Sequence, residues 1–221
     1  MNIKDYLNER FSTLELVPSI YYQWDIGIHF SLAGEIYQFK KNDGLNLERF
    51  RLVYKQTSTL FNELFEQNDD LFLVTNVYKN KTKEKSTRKL KVYQPFLKCK
   101  CHLNGIQVKT YPYPFELDEA EEYEMQQFSL LCKRGDIRVN EILKAACNED
   151  FPLKPKFGGY SIDYPDVFFV NIKKDIIFFV YDDRGCEVIA REAEQIRPLY
   201  EKYNDWVEEV DKKRIEQGLG G

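Results

Sequence analysis

Histidine is scarce: two in 221 residues. His29 and His102 stand far apart, and neither belongs to a His-Glu-x-x-His or paired-histidine pattern of the kind a helix-borne zinc site needs. A Gly-rich phosphate loop is missing, and so is a nucleophile elbow. No apolar run approaches the ~18 residues that cross a bilayer. The opening MNIKDYLNERF lacks the apolar core of a secretion signal. Net charge is −4, so the broad basic footprint of a general nucleic-acid binder is also lacking. These absences predict a cytoplasmic protein without a cofactor or membrane span, for which nucleic acid is an unfavoured partner.

Cysteine is sparse and odd in number. Cys99, Cys101, Cys132, Cys147 and Cys186 suit reduced thiols in a cytosol. Cys99-Lys100-Cys101-His102 is the most metal-like string. Structural zinc wants about four ligands, commonly from two pairs, and no second Cys/His pair lies downstream. Free thiols are expected there, with no metal.

What is abundant is aromatic. Phe, Tyr and Trp supply 15% of the chain and hydrophobic residues 43%, which predicts a folded core and not a disordered segment. The chain is organised around Tyr160–Trp206. Val167–Ile172 and Ile176–Tyr181 are buried-type strand runs, separated by Lys173-Lys174-Asp175. Asp182-Asp183-Arg184-Gly185 then turns the chain into Cys186–Ala190. The pattern predicts a three-stranded antiparallel meander. Asp182 can bond its own downstream backbone, and Gly185 suits a position with φ > 0. Arg197-Pro198 starts a helix whose apolar face would carry Leu199, Tyr203, Trp206 and Val210.

The runs DYPDVFF, YDDRGCEVIA and IRPLYEKYNDW, with IGIHFSL and DLFLVTNVY upstream, resemble the bacterial family called domain of unknown function 3885. The resemblance spans roughly Gly27 to Trp206. It implies a bacterial cytoplasmic protein, from a family known mainly in Gram-positive bacteria. It carries no assigned activity and supplies no catalytic residues.

Elsewhere the spacing predicts a short helix over Ile3–Phe11 and an alternating strand over Ile26–Leu32, with Ile36–Phe39 pairing beside it. Asn46 would cap a long helix over Leu47–Glu66. A strand follows at Leu71–Tyr78, so strand, helix and strand could form a crossover unit. Lys79–Lys91 reads as a basic, solvated loop. Leu97–Cys101 and Ile106–Thr110 would form a hairpin about Asn104-Gly105. Asp118 with Glu121 looks like a helix start reaching Cys132, and Asp136 would cap the next helix. The expected class is α+β: a mostly antiparallel sheet with the C-terminal meander, packed by several helices. One domain over 1–217, or two close subdomains divided near 148–159, would end in a flexible 218–221 tail.

The candidate binding residues cluster about the meander: Asp163, Tyr164, Tyr181, Asp182, Asp183, Arg184 and Arg197. An acidic, aromatic surface without a catalytic signature suggests a protein-binding module, in its most concrete form an immunity or inhibitor protein that neutralises a toxin or other effector. The alternative is a metal-dependent hydrolase or nuclease-like enzyme. There Asp163, Asp182 and Asp183 would hold a divalent cation, and Arg184 would stabilise developing charge.

Overall fold

Strands from both halves of the chain join into one antiparallel sheet in the computed structural model, which describes residues 1–82, 92–115, 121–158, 160 and 162–220. The strands are β1 (Gly27–Ser31), β2 (Asp70–Asn80), β3 (Gln107–Pro112), β4 (Tyr123–Lys133), β5 (Asp166–Asn171), β6 (Ile176–Val180) and β7 (Gly185–Ala190). Their order is β1-β7-β6-β5-β2-β4-β3. The meander β5-β6-β7 forms as its apolar runs predict, with Phe168 opposite Phe179 and Ile177 opposite Ile189. Strands from before and after 148–159 therefore share one sheet. The α+β class is the observed one.

The sheet is covered on both faces, which is why β6 is apolar at every position and its neighbours are largely so. Leu73, Phe169, Phe178 and Val188 face a core completed by α3 (Leu47–Leu64), α4 (Val139–Cys147) and α5 (Arg197–Tyr203). Phe61 of α3 meets Phe169 edge-on, with ring centroids 4.9 Å apart. The opposite face, through Phe72, Val74, Phe168, Ile177 and Phe179, packs on α1 (Ile3–Arg10) and on α2 (Ile20–Gln23). A last helix, α6 (Glu209–Gly218), lies against β1.

Several local expectations give way to tertiary pairing. Tyr123–Lys133 is strand β4, not the end of a helix: Phe128, Leu130 and Cys132 point into the helical core, two residues apart. Its expected start, Asp118, lies outside the described residues. The Asn104-Gly105 hairpin does not form. Lys100–Gly105 is a 3-10 turn, Leu97 bridges Ile137, and β3 pairs with β4. Phe39 bridges Leu45 and not β1. Strands β1 and β2 run parallel, and α3 crosses between them over β7, β6 and β5, so the two are joined by a crossover but are not adjacent.

Caps differ as well. The Asn46 side chain donates to the Tyr37 carbonyl at 3.2 Å and leaves α3 uncapped. Asp136 accepts from the Lys133 N–H at 2.9 Å, one turn ahead of α4. The C-terminal helix breaks after Tyr203: Tyr203 and Trp206 stack at 4.6 Å, and Val210 is exposed on α6. Leu219 is buried, so the expected flexible tail is docked at that residue. Lys79 is buried within β2 and bonds Glu124 at 2.9 Å; residues 83–91 of the basic segment lie outside the described residues.

The β4 assignment makes a simple prediction. Leu130→Ala should cost about 2–5 kcal/mol, as for a buried leucine, and Leu131→Ala, half-exposed next door, no more than about 0.5 kcal/mol. Urea unfolding midpoints of the two variants measure this.

Candidate functional site

The β6–β7 turn sends its two aspartates in different directions. Asp182 folds back on its own turn. Its Oδ1 accepts the Arg184 N–H at 2.6 Å, and its Oδ2 accepts Arg184 Nε at 2.7 Å and Nη2 as well. Asp183 turns into the protein. Its Oδ2 accepts Arg49 Nε at 2.8 Å, and its carbonyl accepts Arg49 Nη2 at 3.0 Å. Arg49 Nη1 donates to the Ile36 carbonyl. The two side chains are 4% and 2% exposed. Burial pushes the Asp183 carboxyl up, and the Arg49 guanidinium opposes it. Helix α3 thus holds the hairpin through a buried, fully bonded ion pair.

Gly185 has a different reason from the expected one, because its backbone is not in the left-handed region. A Cβ there would lie 1.9 Å from Tyr181 Oη and 2.7 Å from the Phe30 carbonyl. Glycine is needed so that the Tyr181 ring can lie across the turn.

A recess of about 410 Å³ opens beside this turn. It brings together five of the predicted residues: Asp163, Tyr164, Tyr181, Asp182 and Arg184. Asp183 is withdrawn to Arg49. Arg197 is elsewhere, donating to the Leu219 carbonyl and not to a carboxylate. The four residues of the hydrolase reading therefore do not converge. Among the described residues no group of three or more His, Cys, Asp or Glu side chains could hold a metal ion.

Pattern reading missed the other walls: Tyr78, Tyr113, Phe115, Glu149 and Asp166. Tyr78 lies two residues before the end of β2 and donates to Asp166 at the start of β5. Tyr113 Oη donates to Asp163 at 2.8 Å. The Tyr78, Tyr113 and Phe115 rings pack on one another at 5.2–5.8 Å. Tyr164 is braced: its Oη donates to the Ala145 carbonyl at 2.7 Å and accepts the Phe157 N–H at 2.9 Å. Asp166 and Tyr78 at least sit at the edges of legible motifs; Glu149 carried no signal at all.

Burial, aided by the charges of Asp150, Asp166 and Asp182 and opposed by Arg184, pushes Glu149 up to about 8. Burial also pushes Asp166 up to about 7, against the Tyr78 bond. The recess therefore gains negative charge as pH rises past neutrality.

Tyr181 belongs to a chain of bonds reaching α6. His29 Nδ1 lies 2.8 Å from Asp211 Oδ2, and His29 Nε2 lies 2.9 Å from Tyr181 Oη. A carboxylate can only accept, so Nδ1 carries the proton; in the neutral ring Nε2 then accepts the Tyr181 O–H. Burial and Asp182 push the Tyr181 phenol far up, so it stays protonated and is no nucleophile. Carboxylate oxygens, a phenol oxygen and aromatic rings line the recess, and Arg184 is bonded to Asp182. Such a lining can accept hydrogen bonds from a cationic group.

The sequence matches the family described as domain of unknown function (DUF3885) over residues 3–211, and the chain belongs to that family. It is 75% identical over 209 residues to a Bacillus subtilis (strain 168) protein, "Uncharacterized protein YnaE", covering 95% of this chain and 98% of that one. This relative supports a bacterial origin. No solved structure matches. No helix among the described residues is long and apolar enough to cross a membrane.

Two predictions follow from the geometry. Arg49→Ala leaves Asp183 buried and unpaired and should cost about 3–5 kcal/mol in chemical unfolding; Arg49→Met with Asp183→Leu should recover most of that. The raised Glu149 carboxyl favours the folded state fully below its ordinary value of 4.5, and this contribution is lost as pH rises through about 8. Glu149→Gln should therefore melt progressively higher than the parent between those pH values, with a constant difference above them.

Proposed function

We propose that this chain is a cytoplasmic protein-binding module that receives a lysine or arginine side chain of its partner in the recess beside the β6–β7 turn. In its most specific form it is an inhibitor or immunity protein that neutralises a basic toxin or effector by occupying its surface. The observation that carries this reading is the gathering of Glu149, Asp163, Asp166 and Asp182 beside the rings of Tyr78, Tyr113 and Phe115. Carboxylates supply charge-assisted bonds to a cation, and aromatic faces favour it when water is displaced. The ends of β5 and β6 and the C-terminal part of β2 position Asp166, Tyr181 and Tyr78, and the buried Arg49–Asp183 pair holds the turn that carries Asp182. The hydrolase reading is weaker because it loses Asp183 to Arg49.

The test is affinity capture from a Gram-positive lysate, followed by titration calorimetry of the captured protein against the parent and an Asp163→Asn/Asp166→Asn variant. The expected outcome is a stoichiometric, basic partner. Its affinity should fall at least tenfold in the variant and with added salt, and should rise between pH 6 and pH 8.5 as the recess charges. Equal affinity for parent and variant, or binding that ignores pH and salt, sinks the proposal.

A further inference from the structure

Three of the five cysteines are closed to chemistry. Cys132, Cys147 and Cys186 are buried free thiols. Burial pushes Cys132 up to about 12 and the other two further. A buried, protonated thiol neither attacks nor is attacked readily.

Cys99 and Cys101 are the opposite case. Both are exposed, and their sulfurs are bonded to each other, in place of the free thiols the sequence suggests. They sit at the head of the Lys100–Gly105 turn, where the Cys101 N–H donates to Cys99 Sγ at 3.2 Å. No residue of that turn is buried. The chain is anchored independently on either side. Before the pair, the Lys98 N–H donates to the Asp136 carbonyl at 2.9 Å; after it, Ile106 is buried ahead of β3. The ring lies between these anchors; Leu103, further along the same turn, packs partly buried against the core. Lys98 and Lys100 flank the pair, and His102 follows it with Nε2 3.5 Å from Asp136. Nearby positive charge favours thiolates, the species that exchange. Exposed disulfides are the labile ones.

From this we propose that Cys99 and Cys101 form a reversible dithiol–disulfide couple that exchanges with low-molecular-weight thiols. A thiolate of the small thiol attacks one Sγ, the Sγ–Sγ bond breaks, and the other cysteine leaves as a thiolate. A second small thiolate attacks the external sulfur of the mixed disulfide and releases the remaining cysteine. The protein gains two electrons and two protons, and two small thiols become one small disulfide. The reverse sequence, with a small disulfide as oxidant, closes the ring again.

The experiment equilibrates the full chain in reduced and oxidised glutathione over a wide range of ratios. It then quenches with a maleimide under native conditions and weighs the intact protein. Labelling should fall from two per chain to none in a single step as the buffer becomes oxidising, and return when the ratio is reversed. Cys99→Ser and Cys101→Ser should each replace that step by a single glutathione adduct. The buried thiols should stay unlabelled throughout. Two labels at every ratio, adducts without ring closure in the parent, or protection that a chelator removes would each overturn the proposal, the last in favour of a metal on these sulfurs.

Discussion

The Arg49–Asp183 pair is the constraint on which the rest of this site depends. Two charges taken out of water cost several kcal/mol each, and their attraction repays this when the remaining donors are also bonded. Arg49 meets that condition, with one bond to the Asp183 carboxylate and others to the carbonyls of Asp183 and Ile36. One side chain of α3 thus fixes both the hairpin turn and the loop after β1. With Asp183 pinned inward, Asp182 and Arg184 are left on the other side of the turn. Gly185 gives the Tyr181 ring room to lie across it. The direction of four consecutive side chains is set from one buried position.

The sheet explains why a recess exists where it does. Helices cover one face and the N-terminal segment covers the other, so the middle of the sheet has no room for water or a ligand. The polar groups of the recess accordingly lie toward strand ends and in the adjoining loops. Tyr78, Asp166 and Tyr181 stand at or near the ends of β2, β5 and β6, which are neighbours in the sheet. Glu149 arrives from the end of α4 and Asp163 from the approach to β5. Each carboxylate there keeps only part of its hydration. That is the physical cause of the upward shifts of Glu149 and Asp166.

The meander, the long helix and β1 were legible because strong apolar patterns and tertiary demand agree there. Segment 123–133 was not. Its acidic lead-in suits a helix start, yet its alternating apolar residues fill a gap between β2 and β3. Asn104-Gly105 is a good hairpin signal that lost to the pairing of β3 with β4. In the site, the turn chemistry of Asp182 was visible because its partner is two residues away. The role of Asp183 was not, because its partner lies 134 residues away. Arg49 and Asp211 occupy ordinary helical positions, and nothing in their local pattern separates them from solvated charges.

Tyr181 is where these arrangements meet. The Asp211 carboxylate holds a proton on His29 Nδ1, and in the neutral ring Nε2 accepts the Tyr181 O–H. Ionised, the carboxylates of the recess accept hydrogen bonds; Glu149 and Asp166, pushed up to about 8 and about 7, can also donate while protonated. Because Asp211 lies on α6, the last helix reaches Tyr181 through His29. The packing of that helix against β1 thus holds the chain of bonds that ends on Tyr181, although no residue of α6 lines the recess.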